Sequence, residues 1–562
     1  MVLLSQLLFA FFFALGNCLD SSSSPTSLSE KDSTNPLPID TIFKLPSPLP
    51  TWPPGGGFAS GRLDLGGLEV CQISSFTKIW ATHEGGPDNL GATFFEPSQV
   101  PEGFFMLGSY AQPNNKALFG WVLAGKDTTG DPSNGTLKQP IDYTLVWSSD
   151  GYIWLPTPPD GYKAVGCVVT NSSDKPSLDK VRCVRSDLTD LSEPDGWIWG
   201  TDKGISVYGL RPSTRGVQAL GVPTGTFMAS NSGAVAAALP CLKNVKANLS
   251  SMPNPSQIQA LLQSYSPLIY LHPDEEYLPS SVSWFFRNGA LLYKKGDESN
   301  PVSIDPTGSN LPMDGSNDGA YWLDLPADQA AREQVKKGNL TDAGVYLHVK
   351  SMLGATFTDI AVWVFYPFNG AAKARFELIN VSLGKIGEHV GDWEHVTLRV
   401  NNFNGQLTSV YFSQHSAGVW VSASELEFQG GNKPVTYSAL HSHAFSPKAG
   451  LVLEGNGGGI GIRRDTAKGE TVVDAGARFL EVAGEYLGSV VVEPPWLNYT
   501  REWGPKIDYN IVDETNNVEK ALPFFLKKKF RKFIGGLPSE VLGEEGPTGP
   551  KMKDNWSGDE RT

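Results

Sequence analysis

The sequence predicts a mostly β protein: a threefold-repeat β-prism followed by a β-sandwich with long loops and a few short helices. Three observations carry this expectation. The 562 residues include 60 Gly, 41 Pro and 15 Trp, a composition that favours strands and turns over helices. One motif recurs three times in the first half. In the second half, apolar runs of strand length are separated by Gly and Asn turns.

From the N-terminus, "MVLLSQLLFAFFFALGNC" is an apolar run too short to span a bilayer, and residues 1–18 read as a signal peptide. The Ser-rich stretch at 19–42 reads as a disordered linker. No later segment is long and apolar enough to cross a membrane, so the mature chain is expected to have no transmembrane span. The expected location is the secretory pathway, extracellular or vacuolar; the alternative is cytosolic and peripheral to a membrane. Seven N-x-[ST] sequons, at Asn134, Asn171, Asn248, Asn339, Asn380, Asn498 and Asn555, are possible glycosylation sites. The net charge of -14 excludes nucleic acid as the main partner.

The prism is expected over 43–242. Its copies begin at Ile79-Trp80, Val146-Trp147 and Ile198-Trp199. Each continues through a Gly turn and an apolar strand ending in Pro, and closes on G-x-x-x-[LV]-G at Gly108, Gly166 and Gly221. A few short strands cannot bury their own apolar face, but three copies around an axis share one core. The repeated Trp side chains are assigned to that core. Cys167 and Cys183 flank "VVTNSSDKPSLDKVR", which reads as a long-looped hairpin with a possible cross-strand disulfide. Residues 243–264 read as a linker with a short helix. Asn254 and Gln257 form a capping box, Pro255 takes the first helical position, and the helix ends before Pro267.

The β-sandwich is expected over 265–562, with strands in "DIAVWVFYPFNG", "WEHVTLRV", "LTSVYFSQH" and "PVTYSALHSHA". Here the chemistry concentrates. "HVGDWEHVTLRV" places two histidines and two carboxylates within seven residues. Alternation along a strand puts Asp392 and Glu394 on one face with Val396, Leu398 and Val400. A carboxylate pair continuing an apolar row needs a partner. His389, Asp392 and Glu394 are therefore candidate ligands of a divalent cation, with His415, His441 and His443 as further candidates. Oxygen-rich ligation suits Mg²⁺, Ca²⁺ or Mn²⁺; Zn²⁺ suits the site only if several imidazoles bind. The competing reading is a sheet-rim network of His and carboxylates without metal. No hydrolase elbow, phosphate loop or zinc-protease motif is present; Glu394 and His395 are candidates for a catalytic base, and Asp392 with Glu394 for an acid–base pair. "FFLKKKFRKF", Phe524 to Phe533, interleaves Phe with Lys and Arg and is a candidate peripheral membrane contact, or else a solvated helix face.

The chain resembles the plant branch of the vacuolar protein sorting-associated protein 62 family, a domain of unknown function. The resemblance rests on "WPPGGGFASGRLDLGGLEV", "FTDIAVWVFYPFNG", "HVGDWEHVTLRVNNFNGQL", "WLNYTREWGP" and "GPTGPKMKDNW" and runs from about Phe43 to Thr562. The second half is distantly similar to necrosis- and ethylene-inducing toxin-like proteins, through "YSPLIYLHPDEEYLPS" and the H-x-x-D-x-E spacing of His389, Asp392 and Glu394. That likeness implies a divalent cation in a β-sandwich that recognises sphingolipid sugar headgroups. It does not extend to Asn369, which stands where that family has an acidic ligand. The leading expectation is a secreted or endomembrane binding protein for a glycan or lipid headgroup. The alternatives are a metal-dependent hydrolase or lyase, and a vacuolar sorting or membrane adaptor.

Overall fold

The protein is mostly β, as expected. The structure, a computed structural model, describes residues 37–131, 133–200, 204–230, 239–313, 315–376, 379–415, 417–454, 460–506, 510–537 and 546–560. The expected signal peptide and most of the expected linker at 19–42 lie outside these residues. The end of that linker is ordered. Ile39 is buried in a short 3-10 turn, and Ile42 bridges to Leu118.

Each copy of the repeat supplies one three-stranded antiparallel sheet. The first contains Phe76–Ala81, Ala92–Pro97 and Tyr110–Pro113. The second contains Asp142–Ser148, Tyr152–Thr157 and Val168–Thr170. The third contains Ser192–Gly200, Ser206–Pro212 and Phe227–Ser230. Trp80, Trp147 and Trp199, one from each copy, meet in one apolar cluster. Trp147 stacks 5.4 Å from Trp80 and meets Trp199 edge-on at 5.0 Å. The repeat glycines permit close approach: a Cβ on Gly108 would lie 2.9 Å from the Gly166 Cα. A second cluster gathers Leu107, Val165, Val184, Val222 and Leu242, and admits Phe403 from the later half of the chain.

The long hairpin with its possible disulfide is absent. Cys167 precedes a strand of the second repeat sheet and lies in the Trp cluster. Cys183 opens the strand Cys183–Arg185, which pairs instead with Leu137–Lys138 and Tyr162–Lys163. The two segments diverge because each completes a different sheet. Cys71, Cys167, Cys183 and Cys241 are buried free thiols. Burial pushes the thiols of Cys167 and Cys183 up to about 12, which keeps them protonated. Among the sequons, Asn134, Asn171 and Asn380 are exposed, while Asn248, Asn339 and Asn498 are half-buried. Asn555 is buried, with its amide bonded to Glu560 at 2.8 Å, so the folded chain presents no acceptor there.

Helix α1, Pro255–Tyr265, has the expected capping box, Pro at its start and an end before Pro267. It is no spacer. Ile258, Leu261, Leu262 and Tyr265 enter the largest layer of the later half. That layer lies on a six-stranded sheet. Its order is Ala417–Ser422, Leu407–Gln414, His389–Asn401, Phe357–Asn369, Val345–Met352 and Phe479–Ala483, with the last strand parallel to its neighbour. One face (Val362, Val364, Val396, Leu398, Val400) packs on α1 and on a second sheet containing Leu268–Tyr270 and Lys433–Ser438. The other face (Trp363, Phe365, Trp393) packs on α2, Val282–Arg287, and on Trp496 and Trp503. Strands covered on both faces explain the near-continuous apolar runs in the sequence. Helix α3, Gln329–Lys336, flanks this layer through Val335. A four-stranded sheet, Lys373–Phe376, Ile379–Ser382, Gly450–Glu454 and Ile460–Thr466, is covered by helices α4, Ile511–Ala521, and α5, Phe524–Ile534.

Two distant segments clasp the later half. In the first, Ser47 donates its amide to Asn432, the Trp52 indole donates to the Asn404 carbonyl, and Phe58 is buried beside α1. The sequence places these residues in the first domain, yet they serve the second. In the other segment, residues 546–560 lie on the central sheet. Lys350 donates to the Asn555 carbonyl at 2.9 Å, and Arg399 bridges Asp359 and Asp559 at 2.7 Å each.

Candidate functional site

The site begins on the central strand His389–Asn401. Register places Tyr366 opposite Asp392 and Val364 opposite Glu394, so the two carboxylates share the face of the apolar layer. Gly391 interrupts the strand with φ +70. A Cβ there would lie 2.5 Å from the Trp503 carbonyl oxygen, so only glycine lets this strand turn beneath "WLNYTREWGP". Past the turn, His389 pairs with Asn369, whose amide donates to the Gly387 carbonyl at 2.7 Å.

Asp392 accepts from His443 Nδ1 at 2.8 Å, while His443 Nε2 lies 3.1 Å from the Tyr277 carbonyl. Both partners are acceptors, so the ring satisfies both only as an imidazolium. Burial opposes that charge, but the Asp392 bond and the nearby Glu275 and Asp392 carboxylates raise the His443 pKa above its ordinary value. The ring stacks on Tyr366 at 3.7 Å. With both nitrogens engaged, His443 orients Asp392. Burial also raises Asp392, but His443 and the charges of His389 and Lys553 outweigh it and hold the carboxyl low. Glu394 differs. Burial first, and then the Asp392 charge, push it up to about 8, although the Ser413 hydroxyl donates to it. Burial lowers His389, whose Nδ1 is buried without a hydrogen-bond partner.

His389, Asp392, Glu394 and His415 line one cavity of about 150 Å³. His441 does not line it; its backbone amide donates to Glu275 at 2.6 Å. His395 turns toward the other face, between Trp363 and Tyr411, with Nε2 3.0 Å from Glu560. It shares with Glu394 an adjoining cavity of about 200 Å³. Sequence reasoning missed much of the first cavity's wall: Asn317, Lys373, Trp393, Ser442, Arg463 and Lys553. These come from separate loops and sheets, and no local pattern connects them. The stretch "YSPLIYLHPDEEYLPS" was the one available signal, because its Glu275 and Tyr277 hold His441 and His443.

Among the described residues, no group of three His, Cys, Asp or Glu side chains forms a ready-made metal-binding cluster. The cavity's donors still fit part of one: Asp392, Glu394 and the unbonded His389 Nδ1 open on the same space. Two carboxylates and one imidazole suit an oxygen-preferring cation whose other ligands are water or ligand oxygens, rather than a closed tetrahedral zinc.

The expected membrane contact lies on α5. Leu526 and Phe530 are buried, whereas Phe524 and Phe525 are 91% and 65% exposed beside Lys528 and Lys532. Among the described residues, no helix is long and apolar enough to cross a membrane.

Comparison with known proteins gives a family match and several distant ones. The vacuolar protein sorting-associated protein TDA6 of Saccharomyces cerevisiae is 24% identical over 242 residues, 36% of this chain and 49% of that protein. The chain thus spans about half the length of the curated relative it matches. A crystal structure of GNIP1Aa from Chromobacterium piscinae is 21% identical with a TM-score of 0.25, covering 34% of this chain and 40% of that one. NLPPya in complex with glucosamine is 14% identical with a TM-score of 0.21, covering 35% of this chain and 70% of that one. At such scores the likenesses carry no argument about this chain. The family model of vacuolar protein sorting-associated protein 62 matches residues 39–560, and the chain belongs to that family.

Proposed function

We propose that this is a binding protein of the secretory or endomembrane system, and that its cavity takes a hydroxyl-rich ligand, a glycan or a lipid headgroup, together with a divalent cation. One observation carries the reading. Asn317 Oδ1, His389 Nδ1, Ser442 Oγ and Arg463 Nε are buried without hydrogen-bond partners, and all four residues line the same cavity. Buried polar atoms are costly when unpaired, and a polyol supplies donors and acceptors to all of them. Asp392, Glu394 and His389 would hold the cation, which would accept ligand oxygens in its open positions.

Added Ca²⁺, Mg²⁺ or Mn²⁺ should raise the melting temperature of the full chain, and chelator should lower it. At a hundredfold excess over Kd the gain is about 2.7 kcal/mol. Asp392→Asn should remove most of this response. If melting is the same with chelator and with each cation, and elemental analysis finds no stoichiometric metal, the cation reading fails.

The raised pKa of Glu394 favours a second reading, a metal-dependent hydrolase or lyase in which Glu394 moves a proton. Glu394→Gln separates the two: turnover lost with binding retained is the enzyme's signature. The family's sorting name fits a third reading, an adaptor at membranes, and α5 supports peripheral contact with an anionic surface. Phe524→Ala with Phe525→Ala should reduce co-sedimentation with phosphatidylserine vesicles. Equal sedimentation of variant and wild type would exclude α5 as the contact.

A further inference from the structure

We infer that the ligand of this cavity carries an anionic group, a phosphate or carboxylate, bound by Arg463, Lys373 and Lys553 beside the carboxylate pair. The inference rests on the cavity being a binding site, as proposed above, and adds the charge of what it binds.

Six ionisable Lys, Arg, Asp and Glu side chains line the cavity: Lys373, Arg463, Lys553, Asp392, Glu394 and Asp465. Two of the acids already have cationic partners. Asp392 bonds His443 at 2.8 Å, and Asp465 pairs with Arg463 Nη2 at 2.7 Å. That leaves Glu394 facing two ammonium groups, Lys373 and Lys553. Neither has a carboxylate at ion-pair distance among the described residues. Binding a divalent cation at Asp392 and Glu394 would make the cavity more positive still. In a chain of net charge -14, surplus positive charge on one concave wall is a local arrangement, and concave walls focus such a field.

The unbonded donors agree. Arg463 uses Nη2 for Asp465, while its Nε is buried without a partner, as is Ser442 Oγ. A guanidinium edge and a hydroxyl together suit an oxyanion. Lys373 and Arg463 come from neighbouring strands of the four-stranded sheet, and Lys553 from the C-terminal segment on the central sheet. The basic wall is therefore built by elements other than the carboxylate-bearing strand. Charge selectivity and cation binding can be tested separately.

The test uses the full chain in calcium-containing buffer and measures binding of myo-inositol 1-phosphate and glucose 6-phosphate against myo-inositol and glucose. The phosphorylated probes should bind about tenfold or more tightly, the scale of one charge-assisted hydrogen bond. Lys373→Gln and Lys553→Gln should each remove most of that preference while leaving neutral-sugar affinity within about twofold. Some preference should persist with chelator, which separates the basic wall from phosphate coordination by the metal. Phosphatidylcholine vesicles with and without phosphatidylinositol 4-phosphate form the second arm. Binding only on vesicles assigns the anion to a lipid headgroup, and binding of the free phosphates assigns it to a soluble ligand. Equal affinity for neutral and phosphorylated probes overturns this inference and leaves the cavity reading standing. A preference unmoved by either substitution also overturns it. If nothing binds in either arm, the cavity reading fails and the inference fails with it.

Discussion

Lys350→Met should cost about 3–5 kcal/mol of stability, the usual result of stranding one half of a buried ion pair. The Lys350 and Glu560 side chains are both fully buried, and their charges lie 3.6 Å apart. Lys350 also donates to the Asn555 carbonyl, and Glu560 accepts from Thr397 at 2.5 Å. Removing the ammonium leaves a buried carboxylate with His395 as its nearest compensation. The double variant Lys350→Met, Glu560→Gln should recover part of the loss, which a denaturant titration of all four forms would read as a coupling energy. The pH dependence has a definite sign. Burial raises the Glu560 pKa, but Lys350, His395 and Thr397 outweigh it and hold the carboxyl well below the usual range. A depressed folded pKa gives stability that is present above the unfolded value, about 4.3, and lost as pH falls through the folded one. The gap between wild type and Lys350→Met should therefore be widest above about pH 4.3 and shrink below it. A gap unchanged from pH 7 to strongly acidic conditions would contradict this account.

Gly391→Ala is expected to have the next largest effect, about 2–5 kcal/mol. Of this, about 1–2 comes from forcing a Cβ into left-handed backbone and about 1–3 from overpacking. The overpacking is against the Trp503 carbonyl oxygen, 2.5 Å from where the alanine methyl would sit. Gly430 supplies the control. Its φ is +61, yet a Cβ there meets nothing within 4 Å, so Gly430→Ala should show the backbone cost alone. Gly391→Ala should also weaken the cation-dependent rise in melting temperature, because the turn at Gly391 sets His389 relative to Asp392. Equal losses in the two variants would mean that the strand yields around Trp503.

The parts of the fold written in local pattern were legible. The repeated [IV]-W pairs indicated a shared core, and Trp80, Trp147 and Trp199 do meet. The Asn254–Gln257 capping box marked α1, and strand alternation put Asp392 and Glu394 on one face. What failed depends on contacts between residues far apart in sequence. Nothing local tells Ser47 to meet Asn432, or Cys167 and Cys183 to join different sheets. His443 read as a candidate ligand from its spacing, but the Tyr277 carbonyl occupies its second nitrogen. The basic wall escaped notice because Lys373, Arg463 and Lys553 are each unremarkable alone. Their meaning comes from the space they share.

The C-terminal segment also dictates an order of events during synthesis. Lys350 belongs to a central strand, yet Glu560, its buried partner, is made 210 positions later, and Asp559 joins an Arg399 that already meets Asp359 within the sheet. Until a ribosome has delivered that segment, the sheet cannot close without burying the Lys350 ammonium away from its carboxylate. Docking of residues 546–560 is therefore expected to complete the central sheet only after its strands have been made. Chains cut short before Asp559 should be recognised as unfinished and degraded, even with every strand of the sheet intact.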